Sequence, residues 1–254
     1  MELEGAVCIV TGASSGIGAA TARLLNRRGA RVVLAARRAE RLEALAAELP
    51  GVLAVTTDVT VPEDLERLVA RVVDAHGRVD VLVNNAGQGL HVAIEEIDPA
   101  DLRAVFELHV VAALVGMQTV LPVMRLQAAG SIVNVSSATS LRLLPGLGGY
   151  SATKAALNMV SEVARLELAG SGVTVSVVYP SVTATEFHER LRAGHMADGA
   201  RNIPRHPPEL VGEAIAFAIT TGEAHVLVGD LPRPIIPRQS EGWQTFPARQ
   251  PPGS

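Results

Sequence analysis

A chain of 254 residues is long enough to bury a substantial core, either as one large α/β domain or as two small ones. Its formal charge of −4, with acids and bases interspersed, offers no basic face to nucleic acid, and no uninterrupted apolar run approaches the length of a bilayer span. Acids stand in the opening MELEGAVCIV where a secretory signal needs cations, and the single cysteine, Cys8, lies within an apolar run, so disulfide and cysteine-metal roles fail and a reducing, cytoplasmic setting is expected.

Apolar, strand-like runs near 7–11, 31–36, 52–57, 80–84, 131–136, 173–179 and 225–228 alternate with helix-like runs at 16–28, 39–48, 62–76, 101–128, 150–169 and 208–221. That alternation predicts right-handed crossovers and an α/β, doubly wound parallel sheet with helices on both faces. Ligands of such sheets bind at the carboxyl ends of the strands. Nothing reads as an interdomain linker before residue 230, and no repeat of solenoid period is present.

The first strand ends in TGASSGIG, residues 11–18, and a helix follows. Gly12, Gly16 and Gly18 permit a tight turn, close approach to a pyrophosphate and close helix packing, while Ser14, Ser15 and Ile17 complete the loop. A plain strand-to-helix connection is the alternative; the flanking strand and helix favour a dinucleotide site. At the second strand end, Ala36 offers no acid for a ribose 2′-hydroxyl, whereas Arg37 and Arg38 suit a 2′-phosphate, so NADP(H) is the expected cofactor. Asp58 and Val59 end the third strand, where a carboxylate and an amide can meet an adenine; Asp58 capping a helix is the plainer reading. The fourth strand ends in Asn84, Asn85, Ala86 and Gly87, the glycine allowing a nucleoside close to the backbone.

The stretch 136–154, SSATSLRLLPGLGGYSATK, carries the chemistry. Tyr150 and Lys154 stand four apart at the start of a helix, which brings their Cβ atoms to about 5–6 Å on one face. A nearby ammonium favours the phenolate, lowering the tyrosine pKa toward use as an acid/base near neutrality. Lys154 is the only lysine beside 21 arginines, so it stands where a compact, exchangeable cation matters. Ser137, at the end of the preceding strand, is positioned to hydrogen-bond the substrate oxygen that Tyr150 protonates. The catalytic candidates are thus Ser137, Tyr150 and Lys154.

Together, TGASSGIG, NNAG at 84–87, Ser137 and Tyr150-Ser-Ala-Thr-Lys154 resemble the short, single-domain short-chain dehydrogenase/reductases over about residues 5 to 235. The resemblance implies a Rossmann-type sheet of seven strands in the order 3-2-1-4-5-6-7, hydride transfer between a nicotinamide and a carbonyl or alcohol, and a homotetramer or dimer. It implies Tyr150 as general acid/base, Ser137 as the group that positions the carbonyl, and Lys154 as ligand of the nicotinamide ribose. His109 stands where the family usually has a relay asparagine; it is expected to replace the relay and to add a titration near neutrality. Pro180-Ser181-Val182-Thr183-Ala184-Thr185 stands in place of the usual Pro-Gly, with Pro180, Val182, Thr183 and Thr185 expected at the cofactor.

Residues 186–208 read as a substrate loop whose His188, His195 and His206 lack metal-ligand spacing and are taken as solvated. Leu141, Leu143, Leu144 and Leu147 suggest an apolar wall, hence a lipophilic small-molecule substrate. The expected domain is 1–238, followed by a proline-rich tail at 239–254 that holds Trp243 and Phe246. A dinucleotide-binding regulatory or scaffolding protein with weak turnover, through the changes at His109 and Ser181, is the competing reading.

Overall fold

A computed structural model describes residues 1–195 and 205–229. The expected tail, with Trp243 and Phe246, lies outside the described residues, as do Gly199 and Pro204 of the expected substrate loop.

The chain runs β1 (Val7–Thr11), α1 (Gly16–Arg27), β2 (Arg31–Ala36), α2 (Ala39–Glu48), β3 (Leu53–Thr56), α3 (Pro62–His76) and β4 (Val81–Asn84). It continues through β5 (Leu90–His91), α4 (Pro99–Phe106), α5 (Ala112–Gln127), β6 (Gly130–Val135), α6 (Gly148–Glu167), β7 (Val173–Tyr179), β8 (Ala193–Gly194), α7 (Pro208–Thr221) and β9 (His225–Leu227). Seven strands form one sheet in the order β3-β2-β1-β4-β6-β7-β9, and every pairing in it is parallel. Counted within that sheet alone, this is the expected order 3-2-1-4-5-6-7. The β5–β8 pair is an addition, two residues on each strand, and lacks the length for a sequence signal.

The sheet is buried on both faces because β-branched and small apolar residues alternate between two cores. Cys8, Val10, Val32 and Leu34 pack with Leu25, Val211 and Ile215 of α1 and α7. Their neighbours Val7, Ile9, Val33 and Ala35 pack with Leu65, Leu68, Met117 and Val120 of α3 and α5.

The helical run expected at 101–128 is longer, and it is interrupted. Residues 107–111 form a single π-helical turn between α4 and α5, and such turns recur at functional sites. Taken with that turn, the helical stretch Pro99–Gln127, 29 residues long, is apolar enough by composition to cross a membrane. Here it lies along the sheet and buries Val105, Ala112, Met117, Val120 and Met124. Helix α6 starts at Gly148, two residues before the expected start, which puts Tyr150 in its first turn.

Candidate active site

The ends of β1, β2, β3, β4, β6 and β7 surround one cleft of about 650 Å³. Gly12, Ser14, Ser15, Gly16, Ile17, Arg37, Arg38, Asp58, Val59, Asn85, Ala86, Gly87, Ser137, Tyr150, Lys154, Pro180, Thr183 and Thr185 line it. Gly18, Val182 and His109 do not.

The glycine turn is built for close packing. Gly12 has φ +65°, and a Cβ there would sit 2.9 Å from Ala86 Cα. A Cβ on Gly18 would sit 2.4 Å from the Gly12 carbonyl oxygen, so Gly18 lets α1 close onto the turn from behind. Thr11 ties the turn to β4: its Oγ1 accepts from the backbone of Asn85 (2.9 Å) and Ala86 (3.2 Å). Asn85 Nδ2 donates to the Thr11 carbonyl at 2.9 Å, so this amide secures the turn while its residue lines the cleft. Ser15 stands at the N-cap of α1 without bonding its amides through the side chain, and no acid stands in the first turn. The amides and positive end of α1 therefore face the cleft, a ready place for a pyrophosphate.

At the adenosine end, Arg38 rather than Arg37 reaches the turn. Arg38 Nη2 donates to Ser14 Oγ (2.9 Å) and Ser15 Oγ (2.7 Å). Arg37 is largely exposed and stands 3.8 Å from Asp58. Burial raises the Asp58 pKa, but hydrogen bonds from Thr60 and the charge of Arg37 outweigh it, so the carboxyl is held below its usual range.

The buried face of α6 carries Tyr150, Thr153, Lys154, Leu157 and Ser161, the helical spacing that brings the phenol and the amine to one side. Ser137 Oγ accepts from Thr139 N (3.2 Å) and Thr139 Oγ1 (3.0 Å). Its own hydrogen is thereby left for Tyr150, whose pKa it pulls down. Lys154 Nζ donates to the Val135 carbonyl at 2.8 Å.

The expected lowering of the tyrosine pKa by Lys154 does not hold here. Burial is the larger effect, and Tyr150 is pushed up to about 12 with the Ser137 hydrogen bond pulling the other way. Burial likewise pushes Lys154 down to about 7. Two groups withdrawn from water both favour their neutral forms.

His109 departs from expectation as well. It lies in the π turn, 2% exposed, behind Tyr150, with ring centroids 5.5 Å apart. Gln88 N donates to His109 Nε2 at 3.1 Å, and His109 Nδ1 lies 2.8 Å from Thr153 Oγ1. Thr153 Oγ1 donates to the Tyr150 carbonyl at 2.8 Å. Since Nε2 accepts and the Thr153 hydrogen is committed, Nδ1 carries the ring proton. Burial, then the charge of Lys154, holds the His109 pKa well below its usual value, so no neutral-pH titration is available.

The Val182 carbonyl is taken by His206 N (2.9 Å), away from the cleft. Ser181 Oγ is buried with no hydrogen-bond partner among the described residues. None of Leu141, Leu143, Leu144 or Leu147 lines the cleft, and Leu143 is 85% exposed. Leu141 closes a 3-10 turn at 138–141, and the chain beyond it carries Leu143 and Leu144 to solvent, so the four form no apolar wall of the cleft. The cleft is lined instead by Gln88, Phe187, His188 and Arg190. His188 is half-buried between Phe187 and His91, with centroids 5.6 and 5.8 Å away, so it is not the solvated residue expected. Burial, then the charge of His188, pushes His91 down to about 4.

Thr139, Thr153 and Gln88 are unforeseen in the sequence, whereas Glu186 and Phe187 fall within the expected substrate loop without being singled out there. Only Thr153 had a local cue, as the residue before Lys154 on a helix face already singled out.

A glycine turn at a helix start, at the carboxyl edge of a doubly wound sheet, with Ser137, Tyr150 and Lys154 across the same cleft, defines a dinucleotide-binding fold of the oxidoreductase type. The sequence profile described as short chain dehydrogenase matches residues 6–195. The chain belongs to that family. An uncharacterized oxidoreductase of Staphylococcus haemolyticus is 35% identical over 232 residues, 91% of this chain and 97% of the relative. The 3-ketoacyl-(acyl-carrier-protein) reductase of Brucella melitensis, solved with NADH, superposes with TM-score 0.82 at 27% identity, covering 89% of this chain and 97% of that one. A short chain dehydrogenase of Burkholderia cenocepacia J2315, solved with NADP, has TM-score 0.77 and 32% identity over 90% of each chain.

Proposed function

We propose that this oxidoreductase is an NADP(H)-dependent carbonyl reductase or alcohol dehydrogenase in which Tyr150 is the general acid/base. The observation that carries the reading is the convergence of Ser137, Tyr150 and Lys154 on the cleft that the glycine turn also lines. A nicotinamide, when bound, supplies or accepts the hydride.

In reduction, Tyr150 gives its phenolic proton to the substrate oxygen as negative charge develops there. A tyrosine with pKa near 12 is fully protonated at neutral pH, which suits the donor role. Ser137, with its lone pairs engaged by Thr139, presents its hydrogen to the same oxygen and fixes the carbonyl in line. Lys154, anchored at Val135, would hold the ribose of a nicotinamide nucleotide and return a proton to the phenol. Arg38, Ser14 and Ser15 would hold a 2′-phosphate, the first turn of α1 the pyrophosphate, and Asp58 and Val59 would border the adenine. Of the two cofactors found in the solved relatives, the absence of an acid at Ala36 and the arginine beside Ser14 favour NADP(H).

The substrate is a small carbonyl compound or secondary alcohol with an apolar face for Phe187 and a polar group for His188 or Arg190. The enzyme acts in the cytoplasm, consistent with its free, buried Cys8. It forms a homo-oligomer through the outer face of α6, where Met159, Val163 and Leu166 are exposed at helical spacing.

The test is turnover of a ketone panel with NADPH and NADH, alongside Tyr150→Phe. The expected result is NADPH-dependent reduction that falls 10²- to 10⁴-fold in the variant, with nucleotide affinity kept. Full-rate turnover by Tyr150→Phe would refute the assignment.

A further inference from the structure

The segment that follows β7 crosses the cleft and ends on a cluster of arginines. Thr185 lies over the glycine turn, so that a Cβ at Gly16 would meet its Cγ2 at 3.0 Å. Glu186 comes next, and its carboxylate pairs with Arg41 Nη1 at 2.6 Å, Arg38 Nη1 at 3.3 Å and Arg190 Nε at 3.3 Å. The Arg41 hydrogen bond, opposed by slight burial and helped by Arg38, holds the Glu186 pKa below its usual range. It is therefore an anion at neutral pH.

Arg38 is the hub of this cluster. Of the five N–H groups of a guanidinium, its Nε and Nη2 serve Ser14 at 3.1 and 2.9 Å, Nη2 also serves Ser15, and Nη1 serves Glu186. These are the donors assigned above to a 2′-phosphate. A phosphate takes a guanidinium best through two parallel bonds, and a carboxylate on the same group is a like charge at contact distance. Arg41 does not line the cleft, so it offers the displaced carboxylate a partner outside.

We propose that Glu186 is a specificity-determining residue: its carboxylate competes with the cofactor 2′-phosphate for Arg38 and is released, with its loop, when that phosphate binds. This rests on the NADP(H) reading above. The consequence reaches the substrate end, because the next residue, Phe187, packs against Tyr150 with ring centroids 5.8 Å apart, and His188 packs against Phe187. The choice of nucleotide thereby sets the position of the wall against which the substrate rests.

The experiment is titration calorimetry of the full chain with 2′,5′-ADP and with 5′-AMP, which differ by the 2′-phosphate, for the wild type and Glu186→Gln. Binding of 2′,5′-ADP is expected to tighten about tenfold in the variant while 5′-AMP is unchanged. Glu186→Ala, which cannot hydrogen-bond Arg38 in place of the carboxylate, should give the same shift. If the wild type prefers 2′,5′-ADP but neither variant tightens it, competition by Glu186 is overturned and the NADP(H) reading stands. If both nucleotides tighten equally, the loop acts without regard to the phosphate and the proposal fails. Equal affinity for the two nucleotides in every protein overturns both the proposal and the NADP(H) reading.

Discussion

His109 shows how burial can remove the titration expected of a histidine while leaving both its ring nitrogens in use. Its two ring nitrogens are both engaged, one accepting from Gln88 N and the other donating to Thr153, so it links the segment after β4 to the second turn of α6. Replacing it by asparagine keeps one of these bonds within reach and loses the other, at a cost of about 1 kcal/mol for a buried hydrogen bond. His109→Asn is therefore expected to lower the unfolding free energy by about that amount and to leave the shape of the pH–rate profile between pH 5.5 and 8 unchanged. A profile that loses a limb in this window would restore histidine titration to the mechanism. Lys154 behaves in the opposite manner, since burial moves its proton release from 10.5 to about 7. Between those values the unfolded chain holds the proton and the folded chain does not, so stability rises with pH through the window and the penalty is complete below about 7. Lys154→Met should abolish that slope. Urea denaturation of both proteins at pH 6, 8 and 10 checks it, and parallel curves would contradict the buried-amine reading.

At the scale of elements, the glycine turn and the helix that follows it act as one unit. Gly18 is held within 2.4 Å of the Gly12 carbonyl for any added Cβ, and backbone cannot yield there as a flexible side chain can. Gly18→Ala should cost about 2 kcal/mol in stability and weaken nucleotide binding tenfold or more, because α1 must back away from the pyrophosphate place. Calorimetry and denaturation measure the two effects, and an alanine variant with native affinity would show that the turn has slack. The main strands and this turn were legible in the sequence because their signals are local: short uninterrupted apolar runs at β1 and β2, which are buried on both faces, and glycines at fixed offsets. What escaped detection depends on tertiary context. The π turn at 107–111 has no distinctive composition, and the two-residue strands β5 and β8 are too short for periodicity. Leu143 and Leu144 look like core by type, yet the 3-10 turn before them directs them to solvent. Glu186 meets Arg41 and Arg38 across 145 and 148 residues of chain, a separation that no local pattern encodes.

In the whole molecule, α6 has two faces with different tasks. One face buries Tyr150, Lys154, Leu157 and Ser161 against the sheet and the cleft. Roughly opposite, Met159, Val163 and Leu166 are 66, 45 and 68% exposed, at i, i+4 and i+7. Such a stripe on a helix that is otherwise well packed is suited to a second copy of the chain, and burying it would fix the helix that aims the tyrosine. Charge introduced there should break the contact without touching the cleft. Met159→Glu with Val163→Glu is expected to reduce the mass measured by light scattering from that of a dimer or tetramer to that of one chain, and to lower the midpoint of thermal unfolding at a given protein concentration. A wild type that already scatters as a single chain at micromolar concentration removes the stripe from any role in assembly, and Tyr150 would then be held by its own subunit alone.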